Sequence, residues 1–284
     1  MNRRRELALK GMLAALRTRR DADIAPDTPL SIYDFVEKQG VDLWFSEIPS
    51  LEGLYCSSPT PTIILNSARP DGRKAFTCAH EFGHHIFGHG TVVDTGDFEV
   101  NSDDDDEFLV DCFAGFALMP KTAICNSFLR REWDFRNPTP LQIYCISNLF
   151  GVGYSTLIHH LRSSLGLISR ESADVLLDTR LPEIRKTLGA PPNAPLAVVD
   201  QFWIGRPVDL SVKDTILVPG GAHFQGSCLM DSSIVPTGRL LTAIQPGLGK
   251  LSLPKWNWSA FVRVSRCGFT GRCTYRFLEE ADGE

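Results

Sequence analysis

Residues 76–89 read Phe-Thr-Cys-Ala-His-Glu-Phe-Gly-His-His-Ile-Phe-Gly-His. Apolar residues recur along this stretch at helical spacing, which predicts a helix over residues 73–87. Its histidines His80 and His84 are four positions apart, so they lie on one face about one turn from each other. Their imidazoles can therefore converge on a single metal ion.

The residue beside the first histidine, Glu81, adds an acid–base group to this pair. Zinc suits two nitrogen ligands and one carboxylate with an open fourth position. Zinc lowers the pKa of water held at that position towards ~7, and a neighbouring carboxylate can take the proton as the water attacks a peptide carbonyl. We therefore expect a zinc hydrolase with His80 and His84 as ligands and Glu81 as the general base. The alternative, a plain amphipathic helix with surface histidines, leaves this arrangement unexplained.

A third protein ligand is expected from the acidic residues that follow. Glu107 and Asp111 are again four positions apart and share one helical face. In the favoured arrangement Glu107 binds the metal, and Asp111 accepts a hydrogen bond from a histidine ring nitrogen. In the other arrangement Asp111 is the ligand. Either acid can instead belong to a solvated helix start.

The segment before these acids, residues 90–106, is polar and acidic and is expected to form a loop. It ends in four aspartates at 103–106, ahead of a helix predicted over 108–119. We expect the aspartates to stabilise the N-terminus of that helix, with Ser102 or Asp103 as its cap.

The remaining histidines divide into one candidate and three others. His89 follows Gly88 and can fold back to stabilise an oxyanion or to orient a ligand, although a plain polar helix end is the favoured reading. His85 points away from the ligand face by more than about 100°, so a structural or surface role is expected. His159 and His160 are adjacent and cannot share one helical face.

The pattern around the histidine helix predicts an α+β fold. Two helices, at 5–20 and 29–38, precede apolar and β-branched runs at 41–45, 53–56 and 62–66. We expect these three runs to be strands of a small sheet, because Pro and Gly residues mark turns between them.

The chain is expected to divide into three parts. Residues 1–130 are predicted to be a zincin-like metallopeptidase domain, and residues 131–189 a helical segment. Residues 190–284 show short alternating runs broken by Gly and Pro, which predicts a β-rich domain that senses a signal or docks a protein.

Two helices predicted at 141–150 and 155–164 meet at a glycine-containing turn and outline a helix-turn-helix. A DNA-binding regulator that uses residues 139–164 is therefore an alternative function. The second helix offers only Arg162 as a strong base, which is a poor provision for neutralising phosphates. The formal net charge of the chain, -5, also argues against DNA binding as the primary function.

Bulk composition favours a folded protein away from membranes. The 284 residues are 43% hydrophobic and 22% charged, close to ordinary globular usage. The first 21 residues resemble an amphipathic helix rather than a signal peptide, and no apolar run approaches the roughly 20 residues needed to cross a bilayer. We expect a cytoplasmic protein without a membrane partner, whose eight cysteines are reduced.

Three motifs in one order carry a resemblance to a known family. They are Thr-Ile-Ile-Leu-Asn at 62–66, the histidine stretch at 76–89, and Glu-Phe-Leu-Val-Asp-Cys-Phe-Ala-Gly-Phe-Ala-Leu-Met-Pro at 107–120. Together they resemble the ImmA/IrrE family of bacterial metallopeptidases over roughly residues 30–122. The resemblance implies a Zn2+ cofactor bound by His80 and His84, with Glu81 as base.

The acidic helix would supply the third ligand by the same resemblance. This chain has Leu109 where the family commonly has a second glutamate. That departure supports Glu107 as the ligand and leaves the role of Asp111 open.

The resemblance also implies a substrate. Members of the family are often site-specific endopeptidases that cleave a helix-turn-helix transcriptional repressor in stress or mobile-element responses, so we expect a protein substrate of that class. The strand at 62–66 is expected to pair with an extended substrate. A degenerate peptidase that binds a metal or peptide without cutting is a further alternative.

Overall fold

The computed structural model describes residues 3–94 and 104–278 of the chain. Its first half contains α1 (Arg3–Asp21), α2 (Ile32–Lys38), β1 (Asp42–Ser46), β2 (Gly53–Cys56), β3 (Thr62–Asn66), α3 (Asp71–Phe87), β4 (Val92–Asp94), α4 (Asp105–Leu118) and α5 (Lys121–Leu129). The middle contains α6 (Pro140–Phe150), α7 (Tyr154–His159), α8 (Arg170–Asp178) and α9 (Leu181–Thr187).

The last part of the chain is built mainly from strands. These are β5 (Leu196–Val198), β6 (Val208–Ser211), β7 (Thr215–Val218), β8 (His223–Gln225), β9 (Leu229–Val235), β10 (Gly238–Ala243), β11 (Gly247–Leu253), β12 (Trp258–Ser265) and β13 (Gly271–Arg272). The predicted mixed α+β class is confirmed.

A five-stranded sheet in the order β13-β1-β3-β2-β4 supports the histidine helix. Strand β1 is parallel to β3, and β2 is antiparallel to both β3 and β4. Alternate side chains of β1 and β3, such as Leu43 and Ile63, are fully buried. Helices α2 and α3 cover this part of the sheet.

Two sequence expectations about this sheet are wrong. Residues 90–106 were expected to be a loop throughout, but Val92–Asp94 forms β4, because its β-branched pair extends the sheet beside β2. Residues 62–66 were expected to pair with a substrate. They form β3, which lies between β1 and β2, so its backbone groups on both sides are already used.

Helix α1 is held against α4 at very short range. A Cβ built on Gly11 would lie 2.8 Å from the carbonyl oxygen of Leu109, so only glycine permits this approach. Farther along α1, Arg19 is buried and donates hydrogen bonds to the carbonyl groups of Ala117, Ala25 and Thr28. These contacts fix the position of α4 relative to α1.

Aspartates lie at the N-terminus of α4 as expected, but the residue that caps the helix differs from the predicted one. Asp104 caps the helix, and its side chain accepts from the backbone N–H groups of Asp106 and Glu107. Ser102 and Asp103, the residues expected to cap, lie outside the described residues.

The run Asp105–Leu129, which joins α4 and α5, is long and apolar enough to cross a membrane by length and composition. This corrects the expectation that no segment reaches that length. Of the 18-residue stretch within it that meets this criterion, 67% is buried inside the protein, as expected for the core helix of a folded domain.

Helices α6 and α7 meet at an angle of 102° across a break at Gly151. Helix α6 begins with a capping box, in which Thr139 and Gln142 exchange side-chain-to-backbone hydrogen bonds. Both helices bury apolar residues, including Ile146 and Leu157. The helix-turn-helix identity of this pair stays a prediction.

The strands after residue 190 form two four-stranded sheets, β5-β7-β10-β9 and β6-β12-β11-β8. The last strand, β13, returns to the first sheet and pairs with β1. Arg263 of β12 also forms ion pairs with Asp34 of α2 and with Asp209 of β6. The C-terminal strands are therefore tied directly to the part of the chain that carries the histidine helix.

Candidate metal centre

Three side chains from two helices converge at the predicted site. The Nε2 atoms of His80 and His84 on α3 are 3.2 Å apart. Glu107 on α4 places Oε2 3.1 Å from His80 Nε2 and Oε1 3.5 Å from His84 Nε2. One ligand atom from each residue lies within 4.8 Å of the others, so the group can surround a single ion.

The other ring nitrogens of these histidines contact polar side chains outside the cluster. His80 Nδ1 is 2.9 Å from Oδ1 of Asp111, and His84 Nδ1 is 2.8 Å from Nδ1 of His89. Because each Nδ1 is engaged, each Nε2 is directed towards the shared centre. Such outer hydrogen bonds are the usual way to orient metal-binding imidazoles.

Glu81 is buried beside the cluster and packs against β2. Its side chain has no solvent exposure. A Cβ built on Gly53 would lie 2.6 Å from Oε1 of Glu81 and 2.5 Å from Cγ2 of Thr77. The absence of a side chain at Gly53 therefore makes the space that the Glu81 carboxylate occupies.

Burial and neighbouring charges set the electrostatics of the cluster. Burial by itself lowers the pKa of His80, but its hydrogen bonds to Asp111 and Glu107 outweigh that effect and raise the pKa to about 10. Burial, together with the adjacent His80, lowers the pKa of His84 to about 4. The hydrogen bond to His80 lowers the pKa of Glu107. These shifts favour a protonated ring at His80 beside a neutral ring at His84.

The donor set fits a divalent transition metal. Two imidazole nitrogens and one carboxylate oxygen are the ligands that a catalytic zinc site uses with an open fourth position. The outer partners Asp111 and His89 supply the hydrogen bonds that such a site needs. The structure thus brings together His80, His84, Glu107, Asp111 and His89, and it places Glu81 on the same helix as the two ligand histidines.

Other histidines lie apart from the cluster. His85 contacts the hydroxyl of Tyr55 through Nδ1 at 2.9 Å and stacks on Phe82. His160 is buried, and its Nε2 is 2.9 Å from the carbonyl oxygen of Met119. Both serve the packing of the fold.

Sequence reasoning missed two contributors to the site. Asp106 places Oδ1 3.6 Å from Nε2 of His89, which extends the chain of polar contacts from His84 to the surface. Its place in a run of aspartates concealed this contact. Gly53 was assigned only to a strand, although a glycine inside a strand often marks a close approach of other groups.

Comparisons with known proteins agree with this geometry. No curated protein sequence matches the chain. The family model for the IrrE N-terminal-like domain, Peptidase_M78, matches residues 36–162, which include α3 with its histidines and α4 with Glu107. Residues 36–162 thus match this metallopeptidase family, in agreement with the resemblance of the sequence motifs to the ImmA/IrrE family.

Proposed function

We propose that the protein is a zinc-dependent, site-specific endopeptidase. The observation that carries this proposal is the convergence of His80, His84 and Glu107 beside the buried carboxylate of Glu81. These three residues would hold the zinc, with Asp111 and His89 orienting the two rings. When bound there, zinc acts as a Lewis acid that polarises a carbonyl and makes water acidic enough to attack it near neutral pH.

The acid–base work falls to Glu81. Its carboxylate accepts the proton of the attacking water and then delivers it to the amine that leaves. The surrounding wall of β2 excludes bulk water and limits the positions that the carboxylate can take, because Gly53 lies against it. A side chain held in this way loses little freedom when the substrate binds.

The substrate is an extended protein segment that lies along β4. Among the described residues, β4 is an edge strand of the first sheet. It lies next to β2, and β2 contacts Glu81 through Gly53. An outer strand offers backbone N–H and C=O groups to a passing peptide, whereas β3 has none to offer. The family to which residues 36–162 belong makes a helix-turn-helix repressor in the cytoplasm the best candidate for this substrate.

Two other functions are weighed against this proposal. A DNA-binding regulator would need the second helix to present basic side chains to the phosphates, but Arg162 is the one strong base in residues 154–164. A sensor that binds metal without cutting would not need a glutamate buried beside the metal. The endopeptidase accounts for both observations.

The test is to incubate the zinc-loaded protein with purified repressors encoded by neighbouring genes and to follow their intact masses. We expect one discrete cleavage in one candidate and none with the Glu81→Gln variant, which should still bind zinc. Cleavage that persists in Glu81→Gln would contradict the proposal. Zinc binding without cleavage of any candidate would favour the sensor, and a salt-sensitive shift of duplex DNA would favour the regulator.

A further inference from the structure

Helix α1 carries two apolar stripes, and packing within the described residues buries only one of them. The inner stripe, which includes Gly11 and Ala15, is buried against α4. On the outer stripe, Leu9, Leu13 and Leu16 remain 43%, 41% and 37% exposed. These outer leucines follow the i, i+4, i+7 spacing of one helical face. A clustered apolar face that stays in solvent is a candidate interaction surface.

The outer stripe borders a groove next to the metal centre. Leu9, Leu13 and Phe87 line this groove, which has a volume of about 360 Å³. Phe87 is the last residue of α3, and its ring stacks on His89 with the centroids 6.0 Å apart. His89 in turn contacts the ring of His84. The groove is therefore connected to the candidate metal ligand His84 through two side chains, Phe87 and His89.

The side chains that line the groove carry more positive than negative charge, in contrast to the whole protein. Lys10 and Arg17 stand on its rim together with Glu6. Seven of the 19 residues of α1 are Arg or Lys and two are acidic, whereas the chain as a whole has a formal net charge of -5. The Lys10 ammonium lies 5.2 Å from the centre of the Phe87 ring, above the apolar floor. An acidic partner would find complementary charge here that most of the protein does not offer.

The inner face of the same helix supports a candidate metal ligand. Gly11 approaches the backbone of α4 at Leu109, which lies between Glu107 and Asp111 in the sequence. A partner bound to the outer face of α1 would therefore contact the helix that packs against α4, which carries these two acids. Docking there brings a bound protein close to the cleft without occupying the metal centre.

We propose that the groove between α1 and the end of α3 is a docking site for an acidic amphipathic helix of the protein substrate. The inference rests on the proposed endopeptidase function. A helix fits because apolar side chains one turn apart can match Leu9 and Leu13, while flanking Asp and Glu side chains face Lys10 and Arg17. The concave floor at Phe87 favours a protein partner over a lipid surface, since a bilayer does not require a pocket for a side chain.

The direct test measures binding of a short fluorescein-labelled helical peptide with leucines on one face and glutamates elsewhere. Fluorescence anisotropy with the full-length, zinc-loaded Glu81→Gln variant avoids any need for cleavage. We expect binding that weakens as salt is raised. Adding Leu13→Asp should weaken binding by about tenfold or more, because an apolar anchor is replaced by a charge of the wrong sign.

Two further variants control this result. Leu129→Asp makes the same change at an exposed leucine outside the groove, so it should leave the peptide affinity unchanged. The double variant Lys10→Glu with Arg17→Glu should weaken the glutamate peptide and strengthen a matched lysine peptide. Circular dichroism and thermal unfolding establish that each variant is folded.

Several results would overturn the proposal. They are equal binding of the peptide to Leu13→Asp, equal binding of the glutamate and lysine peptides to the unsubstituted surface, and binding to anionic vesicles in place of the peptide. A dimer that Leu13→Asp dissociates would assign the groove to a second copy of the chain. If the peptide binds as expected but no repressor is cleaved, the docking site stands and the proposed endopeptidase function fails.

Discussion

Gly53 of β2 and Glu81 of α3 are packed so closely that a methyl group on Gly53 would lie 2.6 Å from Oε1 of the glutamate. Real Cβ atoms do not approach an oxygen so closely, so either the carboxylate or the strand would have to move. This contact couples the central sheet to the residue that we propose as general base.

The first prediction follows from that contact. Gly53→Ala should lower kcat/KM for a cleaved substrate by about tenfold to a hundredfold, because displacing a catalytic group by an ångström has effects of this size. Zinc content should stay near that of the unsubstituted protein, since the atoms nearest the Cβ position of Gly53 belong to Thr77 and Glu81 and not to a proposed metal ligand. Gly220→Ala, at a glycine with open space around its Cβ position, is the matched control and should have no effect. Unchanged turnover in Gly53→Ala would show that Glu81 does not depend on this contact.

The second prediction separates Glu107 from Asp111. Glu107→Gln should lose most of its bound zinc, because one of the three converging ligand atoms is then neutral. Asp111→Asn should retain zinc with an affinity lower by about tenfold to a hundredfold, since a neutral amide oxygen accepts a weaker hydrogen bond from His80 than the carboxylate does. Competition with a zinc-sensitive dye measures both affinities. The reverse order would make Asp111 the third ligand.

A third prediction concerns pH and His160. Burial lowers the pKa of His160 to about 4 in the folded protein, whereas an exposed histidine titrates near 6.5. Between pH 4 and pH 6.5, His160 is therefore protonated in the unfolded chain and neutral in the folded chain. The stability contributed by the neutral ring is complete above pH 6.5 and is lost as the pH falls towards 4.

The measurement compares the free energy of unfolding of the unsubstituted protein with that of His160→Gln, whose amide can still donate to Met119. Between pH 7.5 and pH 4.5 the unsubstituted protein should lose about 2 kcal/mol relative to the variant. In the difference between the two free energies of unfolding, the contributions of the other titrating groups cancel. A difference that does not change with pH would contradict the expected burial of a neutral ring.

The fourth prediction concerns the contact between α1 and α4. Gly11→Val should destabilise the protein by about 1–3 kcal/mol, because added methyl groups meet the backbone of α4 and exceed any gain in helix propensity. Zinc affinity should fall as well, since α4 carries Glu107. Urea unfolding and zinc competition report the two effects, and Gly220→Val serves as the control at an open site. Full stability in Gly11→Val would mean that α1 can shift without moving α4.

Much of the site could be predicted because its residues are linked by local periodicity. His80 and His84 share a face by helical geometry alone, and Glu107 and Asp111 do so on a second helix. The strand at 53–56 was also predicted from local information, namely its apolar composition and the turn residues that flank it. No such local rule reports which strands become neighbours, so the central position of β3 and the short strand β4 were not anticipated.

The amino-acid sequence by itself determined the chemistry of the candidate centre: two imidazoles one turn apart, a carboxylate beside them, and an acidic helix to follow. Only the tertiary structure decided that Asp111 contacts Nδ1 of His80, that Gly53 makes room for Glu81, and that β13 returns to pair with β1. The reason is that spacing along a helix follows from its repeat, whereas contacts between distant segments depend on how the whole core packs.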